Sequence, residues 1–178
     1  MKLVELEISL QAWQSMPCGC GHSAGHLAGD LLRLARGQSD ISASDALEDH
    51  VWTPPTLYSP APAVTSVVLA VLAETTSPTI RDQFLELLLR LVGGEGSDAD
   101  SRARGLDLAE VCREAASPGT WLLYSEVLSG RSVNAAGNAF EVLWIVESDR
   151  PRVQGVREAA ADLLPWHCRT DNPLFDID

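Results

Sequence analysis

The sequence predicts an all-α fold, and three observations predict it. Proline stands just before an apolar run four times, those runs repeat apolar residues at helical spacing, and no convincing set of alternating strands remains. The junctions are Ser59-Pro60, Ser77-Pro78 and Ser117-Pro118, with Arg150-Pro151 opening a fourth run without a serine cap. A serine hydroxyl accepts from orphan N–H groups of the first turn, and proline at the first helical position gives up a donor that had no partner.

In chain order, "KLVELEISLQAW" is expected as a helix, although Leu3, Glu5 and Glu7 also alternate. His26 to Arg36 is amphipathic through Leu27, Leu31, Leu32 and Ala35, and Ser42 to His50 is a short helix capped by Ser42 or Ser44. Behind Pro60, Val64, Val67, Val68, Val71 and Leu72 form one helix face. Behind Pro78, Ile80, Phe84, Leu87, Leu88 and Leu91 form a stripe, with Leu85, Leu89 and Val92 as a second, so this helix must be sandwiched. Weaker helices cover Leu106 to Ala115 and Thr120 to Leu128, the latter with Trp121, Tyr124 and Leu128 on one side. The run through Phe140, Leu143 and Trp144 is again apolar on two sides, with Trp144 in the core, and the last helix carries Val153, Val156, Ala160, Leu163 and Leu164 until Pro165 ends it.

At 178 residues the chain is expected as one domain, 1–178. N-terminal helices with a Cys/His hinge occupy 1–50, a first clear hairpin 51–93, a mobile glycine-rich linker 94–105, further hairpins 106–165 and a tail 166–178. Four cysteines and no charged-then-apolar leader predict a reducing cytoplasm, and the apolar runs are too short to span a bilayer. A net charge of -12 disfavours nucleic acid, whose phosphates are bound by Lys and Arg, and favours encounter with a basic protein. One lysine beside twelve arginines, with abundant Ala, Leu and Gly, fits a GC-rich bacterial genome.

A weak internal repeat aligns "SPTIRDQFLELLLRL" with "RPRVQGVREAAADLL", placing Ile80 on Val153, Leu87 on Ala160 and Leu91 on Leu164. The offset is about twice the ~40-residue period of helical-hairpin repeats. Helices would pair as 60–74 with 78–92, 106–115 with 118–128 and 133–149 with 151–164, three hairpins being the minimum for a continuous stacked core. The string "PRVQGVREAAADLL" resembles the second helix of a HEAT repeat. His50 to Val92 is similar to a segment of bacterial HEAT-like proteins, matched at Trp52, Tyr58, Ala63 and Val64; "TPP" replaces a His-Gln-Gly type turn and Thr65 a proline. The resemblance implies a right-handed α-solenoid of about three hairpins that binds other macromolecules, and it implies no reaction.

The densest chemistry is "MPCGCGHSAGH", with Cys18, Cys20, His22 and His26. Two thiolates and two imidazoles suit tetrahedral zinc, and His22 and His26 are spaced to share a helix face. Cys-Gly-Cys is tighter than the usual zinc spacing, so His50 or the distant His167 and Cys168 are substitutes for one local ligand. The competing readings are a glycine hinge with packed cysteines, or a lowered-pKa thiol at a helix start. No catalytic residues are identified, and the cofactor expectation is none, with zinc as the alternative. Partner-binding candidates are Glu48, Asp49, Trp52, Tyr58, Asp82 and Glu86: amphipathic rings anchor interfaces, and carboxylates receive Arg or Lys. The leading expectation is a non-catalytic immunity protein that neutralises a basic bacterial toxin; the others are a zinc-binding helical protein and a scaffold in a biosynthetic or regulatory assembly.

Overall fold

The computed structural model describes residues 1–170. It is mostly helical, as expected. Helices α1 (Lys2–Leu10), α2 (Leu27–Ala35) and α3 (Ala43–Leu47) precede the hairpin of α4 (Ala61–Glu74) and α5 (Pro78–Val92). Then come α6 (Ala99–Ala103), α7 (Leu108–Ala116), α8 (Thr120–Val127), α9 (Val133–Val146) and α10 (Arg150–Ala159).

Caps explain most starts. The Ser77 hydroxyl accepts from the Ile80 N–H behind Pro78, Ser42 caps α3, and Ser132 caps α9. The Arg150-Pro151 start does have a cap, the Asp149 carboxylate, which accepts from the Arg152 N–H. Ser117-Pro118 departs from the expectation: α7 runs to Ala116, and Ser117–Gly119 form a single 3-10 turn that leads directly into α8. Gly119 allows that turn to lie against α4, because a Cβ there would sit 2.5 Å from Leu69 Cδ2.

The helices make two rows. In one, α1, α4 and α7 lie side by side; in the other, α5 packs between α3 and α9. The α4–α5 pair bridges the rows, and α8 joins α9. The expected pair of 60–74 with 78–92 is present as α4 and α5, but the other two differ, since α7 packs on α4, α5 and α9, and α9 takes α8 and α5 as its main neighbours rather than α10. The central helices are buried on more than one side, as their double stripes require: Val64, Val67, Val68, Phe84, Leu87, Leu88 and Leu91 are all fully buried. Of the expected α8 face only Tyr124 is buried. Leu123, Tyr124 and Val127 are buried, while Trp121 is 71% exposed and Leu128 is also exposed. Trp144 is half-buried, with the Arg150 and Arg157 guanidiniums stacked on its ring.

The connectors also hold structure. Strands β1 (Trp52–Thr53) and β2 (Thr56–Leu57) pair antiparallel, and β3 (Gly96–Ser97) joins β2 in parallel. Residues 94–105, expected as a mobile linker, thus supply β3 and α6, with Asp98 capping α6 and Ser101 fully buried. Across the turn between α4 and α5, Arg81 donates to the carbonyls of Leu72 and Thr75 and, through Nε and Nη2, to Glu126 Oε2 at 2.8 and 2.6 Å. Both residues of this pair are buried. Among the described residues, no helix is long and apolar enough to cross a membrane.

At the far end, the Tyr124 hydroxyl donates to Glu147 Oε2 at 2.9 Å. The Asp149 backbone N–H and then this hydroxyl hold the Glu147 carboxyl below the ordinary carboxylate value, while burial, reinforced by Glu147, pushes Tyr124 up to about 12. The Glu147 contribution is therefore present at neutral pH and lost as pH falls through its lowered value; the Tyr124 contribution is lost as pH rises from the ordinary tyrosine value towards 12. Tyr124→Phe is expected to lower the urea midpoint near neutral pH, with the difference from wild type shrinking at acid pH as Glu147 protonates. Midpoint curves that stay parallel down to acid pH would refute this coupling.

Candidate functional site

The Cys/His segment folds as a tight hairpin. Pro17 and Ser23 form an antiparallel bridge, the Cys18 N–H donates to the His22 carbonyl at 2.8 Å, and Gly21, at φ +83°, closes the turn back to Cys18. The hairpin docks on the turn after α3 through the Gly19 N–H, which donates to the His50 carbonyl at 2.9 Å. Only glycine fits at 19, where a Cβ would lie 2.4 Å from the Asp49 carbonyl oxygen and 2.5 Å from the Tyr58 ring. The partner turn is also unusual, with Asp49 in the left-handed region at φ 62°.

This docking brings His50 to the hairpin. Cys18 Sγ lies 3.4 Å from His50 Nδ1 and 3.8 Å from His26 Nε2, and the two imidazole nitrogens are 3.0 Å apart. Cys20 completes the group, with all four ligand atoms within 4.8 Å of one another. Cys18 is buried, His50 half-buried, and Cys20 and His26 are exposed. Burial foremost, with the Cys20 thiol adding, pushes the Cys18 thiol up to about 11. Of the expected ligands, Cys18, Cys20 and His26 converge; His22 is outside the group and contributes only its backbone carbonyl to the hairpin. The fourth position belongs to His50, which spacing along the chain offered only as a substitute.

His167 and Cys168, the other substitutes, lie elsewhere. They form a separate group with Glu141 on α9: His167 Nε2 is 2.9 Å from Glu141 Oε1, and Cys168 Sγ is 3.8 Å from the same oxygen. Burial first, then Glu141, pushes the Cys168 thiol up to about 12. The pairing holds the turn of residues 166–168 against α9.

The partner-binding candidates divide between two places. Glu48 and Asp49 are exposed on the turn after α3, where Thr53 donates to Asp49 Oδ1 and the half-buried Tyr58 donates to Thr53. Trp52 is a core plug, 6% exposed, with the Arg90 guanidinium over its ring at 4.8 Å. Asp82 and Glu86 line a cleft of about 430 Å³ between α5 and α9, together with Gln83, Asn134, Asn138 and His167. Ser132 donates to Asp82 Oδ2, whereas Asp82 Oδ1 is buried with no hydrogen-bond partner among the described residues. Glu86 receives Arg90 at 2.8 Å. Sequence reasoning missed Asn134 and Asn138, although their i,i+4 spacing at the polar start of an apolar helix marks one shared face. It also missed the exposure of Trp121 and of Trp166, which is 76% exposed.

Comparison with family models, with curated proteins and with solved structures returns no match to this chain.

Proposed function

We propose that the chain is a non-catalytic protein-binding module, built as a right-handed HEAT-like α-solenoid, that engages a basic protein partner in the cytoplasm. Its most specific form is an immunity protein that covers a basic bacterial toxin. The observation that carries this reading is the α5–α9 cleft, where Asp82 holds a buried carboxylate oxygen that has no partner among the described residues, beside the Glu86 carboxylate. A guanidinium or ammonium group from a partner supplies the missing donors, since Arg and Lys are donors with no acceptor. The net charge of -12 adds attraction at a distance, and the two rows of helices support the array reading. Four free cysteines suit a reducing compartment.

The test is calorimetry with the product of the adjacent gene. Binding is expected to weaken with added salt, and Asp82→Ala to cost about 2 kcal/mol or more of affinity, roughly 30-fold. The same substitution is expected to cost the free chain about 1 kcal/mol or less, because the lost bond from Ser132 is offset by removal of an unsatisfied buried oxygen. Absence of binding, or binding unaffected by Asp82→Ala and Glu86→Ala together, would sink the proposal.

A further inference from the structure

We infer that Cys18, Cys20, His26 and His50 form a structural zinc site that pins the N-terminal hairpin to the turn after α3. With zinc–sulfur bonds of about 2.3 Å and zinc–nitrogen bonds of about 2.0–2.1 Å, a tetrahedral ion holds sulfur and nitrogen ligands about 3.5 Å apart and two nitrogens about 3.3 Å apart. The distances here are 3.4 and 3.8 Å from sulfur to nitrogen and 3.0 Å between nitrogens. These match three of the six edges of a tetrahedron sized for the ion, and the three that run to Cys20 Sγ lie within 4.8 Å.

The imidazole of His26 is set for ligation. Its Nδ1 lies 3.2 Å from the Ser23 carbonyl oxygen, which can only accept, so Nδ1 carries the proton and Nε2 turns its lone pair towards Cys18 and His50. Such an outer hydrogen bond from the second ring nitrogen is the usual support of a metal-bound histidine. Four protein ligands leave no open coordination position, so the ion's role is structural. Two thiolates with two imidazoles select zinc over the oxygen-seeking magnesium and calcium ions.

His50 also gives the ion distant parts of the chain to tie together. It lies 32 residues from Cys18 along the chain, so the ion closes a loop that contains α2 and α3. The clamp extends to the neighbouring turn. Gly19 sits against Tyr58 and Asp49, and Asp49, Thr53 and Tyr58 are joined by hydrogen bonds, so occupancy at His50 fixes the position of the whole segment from 49 to 58.

The experiment uses the full chain, purified without a histidine tag or chelator. Elemental analysis is expected to find one zinc per chain, and the zinc K-edge spectrum to fit two sulfur and two nitrogen neighbours. In competition with a chromophoric chelator, Cys18→Ser and His50→Ala are expected to bind zinc about 100-fold more weakly or worse, whereas His22→Ala binds as wild type. Cys20→Ser, at the exposed ligand, repeats the test where the hairpin framework is least disturbed. A chain that takes up no zinc, a spectrum without sulfur neighbours, or equal losses in the His22 and His50 variants would each overturn the assignment.

Discussion

Glu126→Ala is expected to destabilise the fold by about 3–5 kcal/mol, the cost of leaving a buried charge without its partner. Arg81 is buried at the start of α5, and its Nε and Nη2 both donate to Glu126 Oε2, which also receives Arg131 at 3.0 Å. Alanine at 126 strands the Arg81 guanidinium with only the Leu72 and Thr75 carbonyls for company. At about 2–4 °C per kcal/mol for a chain of this size, the thermal midpoint falls by roughly 10 °C. Replacing both partners by leucine is expected to cost clearly less than the sum of the single changes, because no charge is then left alone. Urea unfolding of the two single variants and the double variant checks this, and additive losses would show that the pair is not coupled.

Phe84→Ala is the second large effect, expected at about 3–5 kcal/mol for a large buried aromatic side chain. Phe84 is fully buried on α5, the helix that packs against α3, α4, α7 and α9. Neighbours fixed on several sides cannot collapse into the void, which places the loss at the upper end of that range. Phe84→Leu is expected to recover more than half of it. Equilibrium denaturation reads both, and a loss of about 1 kcal/mol for alanine would mean that the site relaxes freely.

The sequence made the long central helices legible because their signals are local and redundant. Ser77, Pro78 and the two stripes from Phe84 to Val92 each specify α5 independently, and the structure caps and buries it accordingly. Where a single local signal stood alone, distant packing decided. Ser117-Pro118 became a 3-10 turn because α7 and α8 must bend closely past Leu69. Trp121 turned outward because the packed directions of α8 are taken by other residues: Tyr124 reaches Glu147 beyond α9, and Glu126 reaches Arg81 on α5. The strands were unreadable, since two residues carry no alternation and β3 finds its partner across the α4–α5 hairpin. For the Cys/His group, spacing supplied three of the four residues that meet. It chose His22 over His50 because counting along the chain favours neighbours, while the docking of Gly19 on the turn after α3 is a long-range event.

The parallel pairing of β2 with β3 has a consequence for how the chain opens. Thr56 meets Gly96, Leu57 meets Ser97, and the Asp98 N–H donates to the Leu57 carbonyl, so the two ends of the α4–α5 hairpin are fastened to each other. Residues 56–98 thereby form a closed ring whose exit is also its entrance. Such a ring cannot fray inward from one end, because either helix leaves only when the clasp gives way. Release of either helix is therefore expected to be coupled to loss of this clasp, which native-state hydrogen exchange would read as matched opening of α4, α5 and the Asp98 N–H.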